Sequence, residues 1–386
     1  MPSALLGPEA RRGLLEAAGP LLSRLARTSK ARPLRILLLR PDHLGDVLLT
    51  SPAVGLVRAA FADAQLTYLV GPWGAEVARR GPRVHVATLV FPGFTRRPAR
   101  HLVAPYTLLV RTALHLRRQA FDAAAVFRPD HWWGALLALA AGIPVRVGFR
   151  LPETQPLLSH AFDLQPEQHA AERSLLLAHQ LAGLYGRSAE ASLEPVFRVA
   201  PDEHAAAARL LDQHGLSGER LVALQPSAGA PLKSWPERRW AELGERLGRA
   251  GYQIVLIGAP EDVDLLSAIH RRSSVPSLAG QSLGVSAALY ARCGLVIGPD
   301  GGGLHLAAAV GTPTLRLYGP APPAVYGPWP PAAGCQHVLL TRALACAPCG
   351  SLEGPPCGAS ALPACLLTIA VDDVVGAALA QLQRRT

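Results

Sequence analysis

Lysine is scarce in this chain of 386 residues. Only Lys30 and Lys233 occur, and the other 36 of the 38 basic residues are arginine. The bias is typical of a GC-rich genome, so arginine fills general basic positions, and Lys233 is expected where a compact ammonium is needed. The formal charge of +10 is scattered rather than gathered in runs. This argues against a nucleic-acid-binding arm and favours anionic small molecules or an anionic membrane surface.

Long apolar runs are also missing. No run reaches the roughly 18 residues needed to span a bilayer, and the longest, residues 132–145, predicts a buried helix. Residues 1–33 lack a signal-peptide layout because charges interrupt their apolar stretches. They predict an amphipathic, arginine-rich helix that packs on the body, lies on a membrane surface or is mobile. We therefore expect a cytoplasmic protein, with peripheral contact to the inner membrane as an option.

Strand and helix patterns alternate twice along the chain. Short apolar runs such as residues 34–39 and 221–225 are each followed by a polar loop and a helical pattern, which is typical of parallel βαβ units. The length suits two domains, and a polar, extended stretch at residues 185–200 separates them. We predict an α/β fold with two Rossmann-like domains whose parallel sheets face a central cleft. The extension comprises residues 1–33, the first domain 34–190, and the second domain, with its cysteine-containing C-terminal segment, 191–386.

Four of the six cysteines lie in one loop-rich segment with the spacing C-x2-C-x7-C-x7-C. They are Cys346, Cys349, Cys357 and Cys365. This segment could hold a zinc ion, but the spacings after the first pair match no common structural zinc site well. Reduced thiols or a local disulfide are the favoured alternatives.

The loop after the first strand, RPDHLGD at residues 40–46, places Asp42 and Asp46 at a helix start. Open α/β sheets bind ligands at this edge. The dinucleotide fingerprint G-x-G-x-x-G is absent, so this half is not expected to bind a pyrophosphate in the usual Rossmann way. A carboxylate here could act as a general base on a hydroxyl. The alternative for Asp46 is a helix N-cap.

Two strand-end loops of the second half suit a nucleotide. Residues 225–233, QPSAGAPLK, are mostly small and end in Lys233. Small residues let backbone N–H groups reach phosphate oxygens, and the lysine adds a charge; a plain surface lysine is the alternative. Residues 257–262 carry Glu261 and Asp262, which suit ribose hydroxyls. Capping of the next helix is the alternative for Asp262.

A third loop of this half is rich in glycine. The segment LVIGPDGGGLHLAAAVGTP, residues 295–313, predicts a strand, a turn with three glycines and a short apolar helix. The start of a helix offers unpaired N–H groups and the positive end of its dipole to an anion. Asp300 and His305 flank the turn. An ordinary corner of an α/β protein is the alternative.

These loops resemble the motifs of glycosyltransferase family 9, the ADP-heptose:lipopolysaccharide heptosyltransferases, over about residues 34–375. The stretches that carry the resemblance are HLGDVLLTSP, LKSWP, LIGAPED and GPDGGGLHLAAAVGTP. The resemblance implies a GT-B fold and inverting transfer of a sugar, heptose from ADP-heptose, onto a lipopolysaccharide-like or surface-glycan acceptor. It implies no covalent intermediate, no cofactor and no essential metal. The alternatives are a GT-B enzyme with another nucleotide-sugar and a non-catalytic nucleotide-binding protein.

The resemblance also implies roles for single residues. Asp46 aligns with the proposed catalytic base, and Lys233 aligns with the lysine that neutralises the leaving diphosphate. The implied donor-binding positions are Ser227, Gly229, Glu261, Gln281, Asp300, Gly301, Gly302 and His305. Pro299 and Gly301 stand where the family usually has Asn and Thr or Ser, which removes a hydroxyl from the phosphate turn.

Overall fold

The computed structural model describes residues 35–94, 103–218, 220–330, 336–352 and 354–384, together with residues 13 and 17. The predicted extension, residues 1–33, lies outside this described part except at those two positions. No helix within the described residues has the length and apolar character to cross a bilayer. The chain divides into two compact units between Leu193 and Glu194.

The first unit is a parallel sheet covered by helices. Its strands pair in the order β3-β2-β1-β4-β5-β6, and every pairing is parallel. The strand β1 is central, and Ile36 to Leu39 are fully buried because helices cover both sheet faces. In chain order the elements are β1 (Arg35–Arg40), α1 (Leu44–Ala60), β2 (Gln65–Val70), α2 (Ala75–Arg80), β3 (His85–Thr88), α3 (Ala104–Gln119), β4 (Ala123–Val126), α4 (Trp132–Ala140), β5 (Val145–Phe149), β6 (His160–Phe162) and α5 (Ala170–Gly183).

The second unit repeats this architecture with a different strand order. Its sheet runs β11-β10-β9-β7-β8, again with parallel pairings. A pair of buried indoles, Trp235 and Trp240, packs edge to face at 4.9 Å between ring centroids. The elements are α6 (Pro201–Gln213), β7 (Leu221–Leu224), α7 (Glu237–Arg249), β8 (Gln253–Leu256), α8 (Val263–Ser273), α9 (Leu283–Tyr290), β9 (Leu295–Pro299), α10 (Gly302–Ala309), β10 (Thr314–Leu317), α11 (Pro323–Tyr326), β11 (His337–Leu340), α12 (Ala364–Leu367) and α13 (Val371–Gln383).

Two edge strands do not follow from the sequence pattern. The strand β6 has three half-buried residues inside a turn-rich stretch, and β11 follows a proline-rich loop. Each lies at the rim of its sheet. Short edge strands with partial burial lack the continuous apolar run that marks central parallel strands.

Each sheet has one point where the strand order reverses. In the first unit it lies between β1 and β4, and in the second between β7 and β9. The chain leaves two such neighbouring strands towards opposite faces of the sheet, so a crevice opens at their carboxyl ends. Charged residues follow all four of these strands, which places one candidate site in each unit.

Candidate active site

The tetrapeptide Arg-Pro-Asp-His occurs twice, at residues 40–43, beginning at the last residue of β1, and at residues 128–131 after β4. The two strands are neighbours, so both copies lie at the switch point of the first unit. Arg40 Nε lies 2.8 Å from Asp42 Oδ2, and Arg128 Nε lies 2.6 Å from Asp130 Oδ1. Arg128 Nη1 also donates to Asp42 Oδ1 and joins the two copies. The sequence motifs assign no role to Arg40 or Arg128, although this repeat marks both residues.

The two carboxylates at the start of α1 have different surroundings. The Asp42 side chain is only 4% exposed, whereas that of Asp46 is 30% exposed. Arg40 Nη2 donates to Asp46 Oδ1 at 3.0 Å. The capping alternative for Asp46 is wrong, because the helix begins at Leu44 after the N-cap residue His43. Asp42 is therefore a buried counterion, and Asp46 is the carboxylate that a ligand can reach.

This charge network shifts the two carboxylates in opposite directions. Burial alone would raise the pKa of Asp42, but the Arg40 and Arg128 guanidiniums overcome that effect and lower it. Burial and the negative charge of Asp42 raise the pKa of Asp46, and Arg40 opposes part of that rise. A carboxylate with a raised pKa accepts a proton more readily, which is a property of a general base.

His131, in the second tetrapeptide, is buried and neutral. Neither ring nitrogen has a hydrogen-bond partner, and burial lowers the pKa of His131 to about 3. The rings of Phe91 and Phe94 lie 5.2 and 5.7 Å from the imidazole. Gly134 makes room for it, since a Cβ there would lie 2.4 Å from Nδ1. His131 thus fills space beside Arg128 without adding charge.

The second unit has its own ion pair at the switch point. Lys233 Nζ lies 2.6 Å from Asp300 Oδ2, with side chains 18% and 4% exposed. Lys233 follows β7 and Asp300 follows β9, so the pair spans the crevice between neighbouring strands. The alternative of a plain surface lysine is therefore wrong. The ammonium is held at the crevice by a buried carboxylate.

A hydrogen-bond network joins the first two loops of this unit. Ser227 Oγ donates to Asp262 Oδ2 at 2.7 Å and accepts from Gln225 Nε2 at 2.6 Å. Asp262 Oδ2 also accepts from the Ala259 N–H at 2.8 Å. Asp262 is the N-cap residue of α8, but its side chain makes no capping hydrogen bond to that helix. The Ser227 hydroxyl is therefore occupied by hydrogen bonds within the loops. A ligand here would contact the backbone of Ser227 and neighbouring loop atoms.

The other predicted donor-binding positions surround the same edge. Glu261 and Gly229 are exposed, and Gln281 is half-buried in a loop that pairs with the Gly258 loop through the Gly280 N–H, 3.2 Å from the Gly258 carbonyl oxygen. Gly302 is the first residue of α10 and is half-buried.

The glycines of the third loop serve different purposes. A Cβ on Gly298 would lie 2.7 Å from the Gln225 carbonyl oxygen, and one on Gly303 would lie 2.8 Å from Gln225 Cδ. Gly298 therefore needs glycine, because its Cβ would meet backbone, whereas a Cβ on Gly303 would require the Gln225 side chain to shift. Gly301 is extended, with φ 178° and ψ 174°, and a Cβ there would meet only the Pro299 carbonyl oxygen at 3.8 Å. Steric packing accordingly leaves room for a side chain at the position where the family usually has a hydroxyl.

Arg316, on β10, is a fully buried cation to which the sequence motifs assign no role. Its Nη2 donates to the Leu304 carbonyl at 3.0 Å, and its Nη1 lies 3.3 Å from His305 Nδ1. A guanidinium has only donors, so Nδ1 must accept and the imidazole proton lies on Nε2. Arg316 thus fixes the tautomer of a predicted phosphate-turn residue. An arginine flanked by two leucines in a strand-length run was the available signal.

The cysteines that the structure describes are free thiols. Cys293, Cys346, Cys349, Cys357 and Cys365 are unbridged, and Cys335 lies outside the described residues. The part of the chain that the structure describes contains no group of three or more potential metal ligands.

The glycine packing predicts opposite results for two alanine variants. Gly298→Ala should lower the free energy of unfolding by about 1–3 kcal/mol, because its Cβ meets rigid backbone. Gly301→Ala should change it by less than about 1 kcal/mol, since the extended backbone accepts a side chain and the unfolded chain loses entropy. Urea titrations measure both values. Equal destabilisation by the two variants would contradict the packing described above.

The charge network predicts the effect of Asp42→Asn on Asp46. Without the Asp42 charge, and with Arg40 no longer shared, the pKa of Asp46 should fall. Carbon-13 NMR titration of labelled aspartate carboxyls measures it, with the resonance assigned by its loss in Asp46→Asn. Asp163→Asn, which removes the same charge from the exposed pair with Arg150, is the control. An unchanged or higher pKa of Asp46 would refute the network.

Comparisons with known proteins fit this geometry. A family model described as glycosyltransferase family 9 (heptosyltransferase) matches residues 109–353. Lipopolysaccharide heptosyltransferase 2 of Salmonella typhimurium is 28% identical over 302 residues, which cover 75% of this chain and 84% of the relative.

Solved structures show the same fold. The E. coli ADP-heptose lps heptosyltransferase II has a TM-score of 0.69 at 24% identity, with 91% of this chain and 99% of that chain covered. The glycosyl transferase family 9 structure from Veillonella parvula has a TM-score of 0.74 at 23% identity, with 93% and 99% covered. The prediction of an α/β, GT-B fold class is confirmed. Because the family model spans more than half of the sequence, the chain belongs to glycosyltransferase family 9, the heptosyltransferases.

Proposed function

We propose that this glycosyltransferase moves heptose from ADP-heptose onto a lipopolysaccharide-type acceptor with inversion at the anomeric carbon. The observation that carries the proposal is the position of two accessible groups, a base and a cation, at the switch points of the sheets. The base Asp46 lies at the switch point of the first unit, and the cation Lys233 lies at the switch point of the second. The names of the relatives support the substrates, since they are lipopolysaccharide heptosyltransferases and one solved structure is an ADP-heptose lps heptosyltransferase.

The first unit would bind the acceptor and supply the base. Asp46 accepts the proton of the acceptor hydroxyl, whose oxygen forms the new bond to the anomeric carbon. Arg40 orients the carboxylate through its 3.0 Å hydrogen bond. The raised pKa of Asp46 improves its proton affinity. Asp42 keeps Arg40 and Arg128 fixed, so the base is held in place before the substrate arrives.

The second unit would bind the donor and stabilise the leaving group. As the bond from the anomeric carbon to the diphosphate oxygen breaks, its electron pair stays on that oxygen. Lys233 and the N–H groups at Gly301 and Gly302 stabilise this charge. His305 contributes an Nε2–H donor, and Asp300 holds Lys233 near the sugar. Glu261 would bind the ribose, and the backbone at Gln281 the adenine, with Ser227 and Gly229 in the phosphate loop.

The acceptor class sets the location of the reaction. A lipopolysaccharide-type acceptor is a glycolipid, so the enzyme would act on the cytoplasmic side of the inner membrane in peripheral contact with it. The formal charge of +10 favours this contact, because that membrane surface is anionic.

A panel of nucleotide-sugars tests the donor. ADP-heptose, other ADP-sugars and UDP-sugars are screened for thermal stabilisation and for transfer. We expect ADP-heptose to give both. Transfer from a different donor would show that the enzyme uses another nucleotide-sugar. Binding without any transfer would indicate a non-catalytic nucleotide-binding protein.

Asp46→Asn tests the base. The turnover number should fall roughly 10²- to 10⁴-fold, because general-base catalysis is lost. The affinity for ADP should stay unchanged, since its proposed site lies in the other unit. Steady-state kinetics and calorimetry measure the two quantities, with Asp163→Asn as the matched surface control. Full activity of Asp46→Asn would remove Asp46 from the mechanism.

A further inference from the structure

The helix α3 leaves apolar side chains in water. Val103, Val110 and Leu114 are 65%, 57% and 55% exposed. Their spacing of seven and four residues puts them on one side of the helix. The other side is buried, with Leu109, Ala113 and their neighbours packed in the core that α4 shares. We call the exposed side, formed by Val103, Val110, Arg111, Leu114, Arg117 and Arg118, the α3 outer face.

This face is also strongly basic. Arg111, Arg117 and Arg118 are exposed, and α3 contains no acidic residue. The absence of acids extends further, because residues 77–121 hold nine arginines and no Asp or Glu. Arg117 and Arg118 in the last turn also interact favourably with the negative end of the helix dipole. That effect does not explain why Val103, Val110 and Leu114 are exposed on the same face.

The chemistry of the face selects its partner. We propose that the α3 outer face docks onto an anionic lipid bilayer, with the arginines on the headgroups and the apolar side chains at the acyl boundary. Residues 1–33 are the other candidate occupant within this chain. They carry six basic and two acidic residues, so their charge repels the face rather than complementing it. The inference rests on the proposed function, because a glycolipid acceptor is what gives membrane docking its purpose.

Docking at this face would bring the acceptor site to the membrane. Trp133 Nε1, on α4, donates to the Pro105 carbonyl at the first turn of α3 at 3.3 Å. The chain reaches α4 directly from the second Arg-Pro-Asp-His copy, whose Arg128 bonds to Asp42. The first turn of α3 is therefore bonded to the helix that begins directly after the second tetrapeptide copy, at the sheet edge that carries Asp46.

Vesicle sedimentation of the full chain tests the proposal. The vesicles are phosphatidylcholine alone and an equal mixture of phosphatidylcholine and phosphatidylglycerol. We expect binding to the anionic vesicles only. The triple variant Arg111→Gln/Arg117→Gln/Arg118→Gln should weaken it about a hundredfold, at about fivefold per arginine. The triple variant Val103→Ser/Val110→Ser/Leu114→Ser should weaken it about tenfold or more.

Matched variants elsewhere control for charge and apolar area. Arg209→Gln/Arg249→Gln/Arg271→Gln removes three exposed arginines of the second unit, and Leu184→Ser/Leu193→Ser/Leu339→Ser removes three exposed leucines. Both should bind nearly as the unchanged chain does. Equal loss in the control and α3 variants would overturn the proposal. So would no binding to anionic vesicles, or binding that the α3 variants leave intact, as expected if residues 1–33 are the anchor.

A soluble acceptor fragment separates this proposal from the proposed function. The α3 variants should transfer sugar to the delipidated acceptor at the unchanged rate and lose transfer to acceptor in vesicles. If no form of the protein transfers sugar but the vesicle results hold, the proposed function fails and the docking surface stands. Loss of transfer to the soluble acceptor in the α3 variants would show a folding defect or a substrate role and would contradict docking alone.

Discussion

Buried charge at the switch points is the constraint on which both sites depend. A parallel sheet opens a crevice only where neighbouring strands send their chains to opposite faces, and charges placed in such a crevice must be paired to tolerate burial. Arg128 meets Asp42 between β4 and β1, and Lys233 meets Asp300 between β7 and β9. In each unit, one buried carboxylate holds a cation at the crevice. The same pairing that stabilises the fold therefore preorganises the groups that would meet the substrates.

The two switch points suit different chemistry because the accessible group at each one differs. In the first unit the accessible group is a carboxylate, Asp46, whose pKa is raised by burial and by the neighbouring Asp42. In the second it is an ammonium, beside the start of a helix and a histidine whose tautomer is fixed by Arg316. A base suits the removal of a proton from an acceptor, and a cation with N–H donors suits a leaving diphosphate. Glycosyl transfer needs both of these groups.

Much of the fold and of the candidate site could be predicted from the sequence, and there are physical reasons why other residues could not. Buried central strands such as β1, β7 and β9 are continuous apolar runs, and the segments that follow them carry Asp46, Lys233 and Asp300 within recognisable motifs. Arg128 and Arg316 escape a motif because their partners, Asp42 and His305, lie in other stretches of the chain. Arg40 pairs with Asp42 and Asp46 close by in sequence, and only the repeated tetrapeptide marks it. The roles of single glycines were also hidden. Gly298 must be glycine because a Cβ would clash with the carbonyl oxygen of Gln225, 73 residues away in sequence. Gly301, in contrast, has room for a side chain.

Calorimetric titration of ADP tests the central claim, that the second switch point is a diphosphate site held by Lys233. The chain offers a matched control, because Lys30 is its one other lysine. Loss of a charge-assisted hydrogen bond to phosphate costs about 1.5–3 kcal/mol, which is roughly 10- to 150-fold in affinity. The account predicts that Lys233→Met loses ADP affinity by such a factor while Lys30→Met keeps it. Equal ADP affinity in Lys233→Met and the unchanged chain would contradict it.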